Sequence, residues 1–197
     1  MTLQTLAFKR PATYQDVLDA PAHLVAELLD GALHLQPRPG ARHARAASRL
    51  GVKLGGFDDD GPGGWWLLDE PEIHLGDHVL VPDLAGWRRA NMPAFPDAPA
   101  IDLAPDWICE VLSPSTRRLD LGVKRDVYGA HGVSHLWFVD PDAQTLEAFA
   151  CRGGAWVLLA TLTGDAMVRL APFEEAIFSL SALWPPSKPE PPQSEDI

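Results

Sequence analysis

The run Trp107-Ile108-Cys109-Glu110-Val111-Leu112 sets one carboxylate among apolar residues. Its length suits a strand and is too short for a helix. A carboxylate in a buried strand is costly unless it is paired or metal-bound, and glutamate is among the residues least often fully buried. Taken alone, Glu110 has an equally good plain reading at an edge facing solvent. Ser113-Pro114-Ser115-Thr116 stops the run. A helix is expected over about 117–131, ended by Gly132. Ser134–Asp140 is apolar and β-rich, and reads as a second buried strand.

The rest of the chain extends this alternation. Thr13 suits the N-cap of a short helix over 14–19, with Asp16 near its positive end and Pro21 beyond it. Asp30-Gly31 between apolar runs is the strongest hairpin signal present. Residues 41–55 form a helical pattern, with His43, Ala47, Leu50 and Leu54 on one side. Trp65–Leu75 and His78–Trp87 read as two strands joined through Gly76-Asp77. The proline-rich segment 90–105 is a loop that could lie over a site. Gln144–Cys151, Ala155–Leu162 and Met167–Leu170 suggest a β-meander, closed by Phe173–Trp184. The order predicts an α/β (α+β) domain with a mixed sheet over residues 1–184. The Pro- and Glu-rich tail, 185–197, is expected to be disordered.

Two further residues stand out. Asp83 lies directly after a proline in Val81-Pro82-Asp83-Leu84-Ala85, where Pro82 suggests a strand start, edge or bulge. Its plain reading is an acid capped by backbone N–H groups. Lys124 shares a helical face with Leu121, Tyr128 and His131. Its plain reading is a surface lysine with a buried stem. Together the residues fit one constellation. Carboxylates from two neighbouring strands bind a hard cation such as Mg²⁺ or Mn²⁺, and a lysine beside them can orient a water and stabilise charge developing on a phosphate.

These residues carry a resemblance. The chain is similar to the Uma-type restriction endonuclease family of the PD-(D/E)xK nuclease superfamily, from about residue 12 to 184. The shared features are Glu27-Leu28-Leu29-Asp30-Gly31, His43, Val81-Pro82-Asp83-Leu84 and Glu110-Val111-Leu112-Ser113-Pro114-Ser115, then Lys124, Tyr128, Gly132-Val133 and Leu136–Asp140. The resemblance implies a restriction-endonuclease-like mixed β-sheet core flanked by helices. It also implies a metal-dependent endonuclease hydrolysing DNA phosphodiester bonds. Asp83 would be the PD aspartate and Glu110 the (D/E) residue, with the Val111 carbonyl as a further metal ligand. Leu112 stands where the superfamily's lysine usually lies, which points to Lys124 on the following helix. Glu27 and His43 would join the catalytic group, Glu27 on the site side and His43 toward phosphate or a proton.

Composition bounds these readings. The net charge of −11 is not that of a strong, non-specific nucleic-acid binder. Arg42, Arg45, Arg49 and Lys53 on one helix, with Arg117, Arg118 and Arg125 near the next, are the candidates for a phosphate-facing surface. A catalytically inactive nuclease-fold binding or regulatory module therefore stands as the alternative. A third reading is a structural subunit associating through tryptophans, although most of the seven Trp lie in strand runs. Two cysteines are too few for a disulfide framework. The other histidines show no zinc spacing, and there is no P-loop or nucleophile elbow. No apolar stretch suits a membrane helix and the N-terminus lacks a secretory pattern, so a cytoplasmic protein, plausibly a homodimer, is expected.

Overall fold

The computed structural model describes residues 3–6, 10–58 and 64–186. Strand β1 (Gln4–Leu6) precedes helix α1 (Tyr14–Leu18). The Thr13 backbone N–H donates to Asp16 Oδ2 at 2.7 Å, so the acid at the positive helix end also closes the cap. Strands β2 (Leu24–Leu29) and β3 (Ala32–Pro37) form the expected hairpin. Asp30 and Gly31 have φ of 50° and 71°, the left-handed pair a two-residue turn needs. Helix α2 (Ala41–Leu54) buries Ala46, Leu50 and Leu54, one stripe at helical spacing.

Residues 65–87 depart from expectation. The two long strands are four short ones: β4 (Trp65–Asp69), β5 (Ile73–Leu75), β6 (His78–Leu80) and β7 (Leu84–Arg88). β5 pairs with β6, and β4 with β7. Pro71 and Pro82 interrupt the ribbon at the same level, because proline has no N–H for the ladder. The Glu70 N–H still reaches the Asp83 carbonyl at 3.1 Å across the break. The tip of the ribbon thus joins one sheet and its base another.

The remaining strands are β8 (Trp107–Val111), β9 (His135–Asp140), β10 (Thr145–Arg152), β11 (Ala155–Thr163), β12 (Met167–Val168) and β13 (Phe178–Ser179). The first sheet is antiparallel, in the order β1-β3-β2-β6-β5. The second has the order β11-β10-β9-β8-β7-β4 and is mixed, because β8 and β9 run parallel. β12 and β13 form a small pair of their own.

The helical segment between β8 and β9 is also not continuous. It comprises α3 (Arg117–Leu119), a wide π turn over Asp120–Lys124, and α4 (Arg125–Ala130). Gly122 breaks the helix at φ −107° and ψ −106°. The single face expected for Leu121, Lys124, Tyr128 and His131 is therefore not kept. Lys124 and Tyr128 turn inward, whereas the His131 ring lies edge-on to His78 at 5.6 Å.

One face of the second sheet packs against α2 and the C-terminal segment around Phe173, Leu180 and Leu183. The other face packs against Val127 and Tyr128, with Met92 and Ile101 from the 90–105 loop. That loop does not cover the candidate site. The Ile101 N–H bonds to the Glu72 carbonyl and its own carbonyl accepts from the His74 N–H, which ties the loop to β5. Trp65, Trp87, Trp107 and Trp137 are wholly buried, Trp184 nearly so, and Trp66 and Trp156 half-buried. Five of the seven tryptophans are core and none is fully exposed. Cys109 is a buried free thiol and Cys151 a half-buried one. Residues 187–197, most of the expected tail, lie outside the described residues.

Candidate active site

The ribbon break sets the geometry. Asp83 follows Pro82 where the chain leaves β6 and enters β7. Its Oδ2 accepts the Val111 N–H at 2.7 Å, which brings its carboxylate against β8 beside Glu110. Its Oδ1 lies 2.5 Å from His43 Nε2, on the first turn of α2. His43 Nδ1 is buried and has no hydrogen-bond partner among the described residues.

Glu27, Glu110 and Lys124 converge below this pair. Lys124 Nζ lies 2.8 Å from Glu110 Oε1 and 2.9 Å from Glu27 Oε1, with Asp120 Oδ1 at 3.7 Å. All four side chains are almost completely buried. Tyr128 donates its hydroxyl to Glu110 Oε1 at 2.5 Å. Glu110 Oε2 accepts no hydrogen bond among the described residues. Glu27 has both oxygens engaged: Oε1 also accepts the Val81 N–H at 2.8 Å, and Oε2 accepts from Gln36. Gln36 reaches it from the diagonal position on β3, since Glu27 pairs with His34. The solvent-facing readings of Glu110 and Lys124 are thus excluded by burial, and Glu27 is buried with them.

The five residues singled out in the sequence form two linked groups, His43–Asp83 and Glu27–Lys124–Glu110. The hydrogen bond from Val111 to Asp83 joins them. Asp120, Gln36 and the contact of Tyr128 with Glu110 went unread. Asp120 had a signal, its i, i+4 spacing to Lys124. Gln36 had none, because its role depends on strand register.

Three carboxylates surround one ammonium, and burial makes that imbalance expensive. Burial drives the Glu110 carboxyl well above the ordinary range. Lys124 opposes the rise, while Asp120, Asp83 and Glu27 add to it. Burial likewise pushes Asp120 up to about 6, against Lys124 and a hydrogen bond from Thr116. For Lys124, burial favours losing the proton, but Glu110 and Glu27 outweigh it and hold the pKa well above that of free lysine. Lys124 is therefore a fixed positive charge at neutral pH, suited to electrostatic work and not to acting as a base.

The Asp120 shift gives a test. Native Asp120 keeps its proton up to about pH 6, while in the unfolded chain the proton leaves near pH 4. The native state then binds more protons across that window, so this group costs stability as pH rises. Urea unfolding in chelator should show Asp120→Asn gaining about 1–2 kcal/mol relative to the parent between pH 5 and pH 7.5. An unchanged difference at the two pH values would refute the shift.

The site opens into a cleft of about 530 Å³ lined by Asp83, Glu110, Lys124 and His43. Arg38 and Arg42 stand in its wall, each near a carboxylate: Glu70 at 3.4 Å and Asp142 at 3.5 Å. Among the other basic candidates, Arg117 pairs with Asp140, Arg125 lies over the Phe149 ring and Lys53 over Phe178.

The fold is a mixed α+β one whose candidate residues line a cleft. The comparisons agree with the fold. A crystal structure titled as a putative nuclease belonging to DUF820, from Anabaena variabilis ATCC 29413, is similar to the chain with a TM-score of 0.72 and 23% identity, covering 88% of this chain and 97% of that one. The model of the Uma2 family, described as "Putative restriction endonuclease", matches residues 11–182. The chain belongs to that family. No curated protein matches it.

Proposed function

We propose that this protein is a Mg²⁺- or Mn²⁺-dependent endonuclease that hydrolyses DNA phosphodiester bonds, acting as a cytoplasmic homodimer built from one domain per chain. The observation that supports this best is the buried cluster of three carboxylates around one lysine, with Asp83 beside it at the cleft. Such an excess of negative charge is relieved by a divalent cation.

The donor chemistry fits the ion. Asp83 lies against the backbone of β8, and Glu110 Oε2 is unengaged among the described residues. These carboxylates, with the Val111 carbonyl, would hold it. Among the described residues no three His, Cys, Asp or Glu side chains form a ready cage. Two carboxylates and a carbonyl are the kind of partial set that magnesium completes with water. When bound, the ion would polarise the phosphate and lower the pKa of a water.

The chain's own groups take the remaining roles. Lys124, always charged, offsets the negative charge that grows on the phosphate. Glu27 and Asp120 hold Lys124 in place, and Gln36 and the Val81 N–H hold Glu27. Tyr128 fixes Glu110 through Oε1 and leaves Oε2 toward the cleft. His43 orients Asp83 through Nε2. Arg38 and Arg42 are placed to meet flanking phosphates.

One observation favours the second reading, a catalytically inactive nuclease-fold binding or regulatory module. Arg38 and Arg42 already face Glu70 and Asp142, which weakens their pull on phosphate. Incubating supercoiled plasmid with Mg²⁺, Mn²⁺ or chelator separates the two. Nicking that needs the ion and vanishes in Asp83→Ala supports the nuclease. Ion-dependent cleavage that survives Asp83→Ala and Lys124→Ala would sink the site assignment.

A further inference from the structure

Charge is not spread evenly along this chain. Between Asp30 and Asp58 there is no Asp or Glu, yet the stretch holds Arg38, Arg42, Arg45, Arg49 and Lys53. The chain has 16 Lys and Arg in all, so the remaining 11 stand against all 27 acids. Helix α2 carries four of the five, from Arg42 to Lys53. At about 100° per residue, those four fall within about 80° of arc, along one flank of the helix. The stripe Ala46, Leu50 and Leu54 lies next to that flank and packs into the core, which fixes the helix in rotation.

The basic flank starts at the cleft. Arg38 and Arg42 stand in the cleft wall, and His43, one residue on, contacts Asp83. Arg42 and Arg45 are exposed and Arg49 is half-buried. Arg38 and Arg42 are held by Glu70 and Asp142 in exposed pairs, a weak kind of contact. Arg45 and Arg49 make no ion pair or hydrogen bond among the described residues. Arg49 Nε is even buried without an acceptor, a costly state that an incoming oxygen would relieve. Two unpaired guanidiniums in line with the cleft suit an extended anion better than a single small one.

We infer that this flank of α2 is a rail for the phosphate backbone of duplex DNA, leading from the cleft past Arg42, Arg45 and Arg49. Arg42 to Arg49 covers about 10 Å of helix axis, the rise of about three nucleotides of one strand. Each guanidinium can hold phosphate oxygens through two parallel hydrogen bonds. Charge selects the occupant. A chain of net charge −11 repels a polyanion over most of its surface, and the acid-free stretch is where that repulsion is reversed. Single strands are ordinarily gripped by aromatic stacking, and α2 contains no Phe, Tyr or Trp. A membrane surface is a poor match, because the apolar stripe of α2 is already packed in the core. Phosphate contacts fix the position of a duplex without reading its sequence. This inference rests on the DNA reading of the proposed function and adds where the duplex lies.

The test is fluorescence anisotropy of a labelled duplex of about 24 base pairs with the full chain, in chelator, between about 50 and 200 mM salt. The parent should bind with a log–log salt slope of about −3. Arg45→Gln/Arg49→Gln should make that slope shallower by about 2 and weaken binding at least tenfold at the lowest salt. Arg45→Lys/Arg49→Lys should keep most of the slope, since the contact is to charge. Arg152→Glu removes as much positive charge from exposed β10 and should leave the slope unchanged. Arg45→Gln alone, at an exposed position, should take about 1 from the slope and serves if the Arg49 substitution harms folding. Binding without salt dependence overturns the inference. So does an equal loss in Arg152→Glu, or a single strand of the same length that binds as tightly as the duplex and loses as much in the double glutamine variant. Chelator removes cleavage from the readout, so the two readings fail separately. A parent that binds on this rail but never nicks plasmid defeats the nuclease alone. A parent that nicks plasmid while the double glutamine variant binds unchanged defeats the rail alone.

Discussion

Lys124→Met is expected to destabilise the metal-free protein by about 3–5 kcal/mol at pH 8, the usual cost of removing one partner from a buried ion pair. For a chain of this size that is a melting temperature lower by roughly 10 °C or more. Methionine keeps most of the volume, so the loss is electrostatic and not a cavity effect. Glu27, Glu110 and Asp120 then have no cation between them. They can escape only by taking up protons, so the variant's native state binds more protons than its unfolded state over a wide range. Its stability must therefore fall as pH rises. The deficit should be much smaller at pH 5 than at pH 8. Millimolar Mg²⁺ should restore part of it at pH 8, by binding the folded state alone. A variant that melts within 2 °C of the parent at pH 8 would show that Lys124 does not balance this cluster.

Asp83→Ala is the converse case. Asp83 is partly open to the cleft, so its removal should cost little stability in chelator, of the order of 1 kcal/mol for the lost bonds to Val111 and His43. Its effect on the ion should be large. If Asp83 and Glu110 hold Mg²⁺ together, the parent's melting temperature rises with added Mg²⁺ and the variant's does not. Plasmid nicking should fall at least a hundredfold, since the ion contributes several kcal/mol to the barrier. The thermal readout does not depend on activity, so a site that binds the ion without cutting would still show it. A variant that keeps the full Mg²⁺-induced shift removes Asp83 from the ligand set.

Much of the fold was legible because its signals are local. Asp30-Gly31 marks a turn through its own backbone preferences, and Thr13 and Asp16 mark a helix start. The split ribbon was not, although Pro71 and Pro82 stood in plain view. A proline says that a ladder is interrupted, not which sheet receives each half. The π turn at Gly122 was equally hidden. Glycine permits such a break, but the pull of Glu27 and Glu110 on Lys124 belongs to tertiary contact. For the same reason the candidate residues could be listed without their partners. Glu110 announced itself as a carboxylate in an apolar strand. Gln36 and Asp120 are ordinary polar residues until strand register and the broken helix bring them to Glu27 and Lys124.

The passage of one ribbon between two sheets has a consequence for the timing of activity. Glu27 belongs to the first sheet, Glu110 to the second, Asp83 to the junction, and Lys124 to a segment that docks after β8. A nascent chain that has completed either sheet alone possesses no assembled site. Under the proposed function, competence is thereby acquired only when both sheets and the segment after β8 have come together.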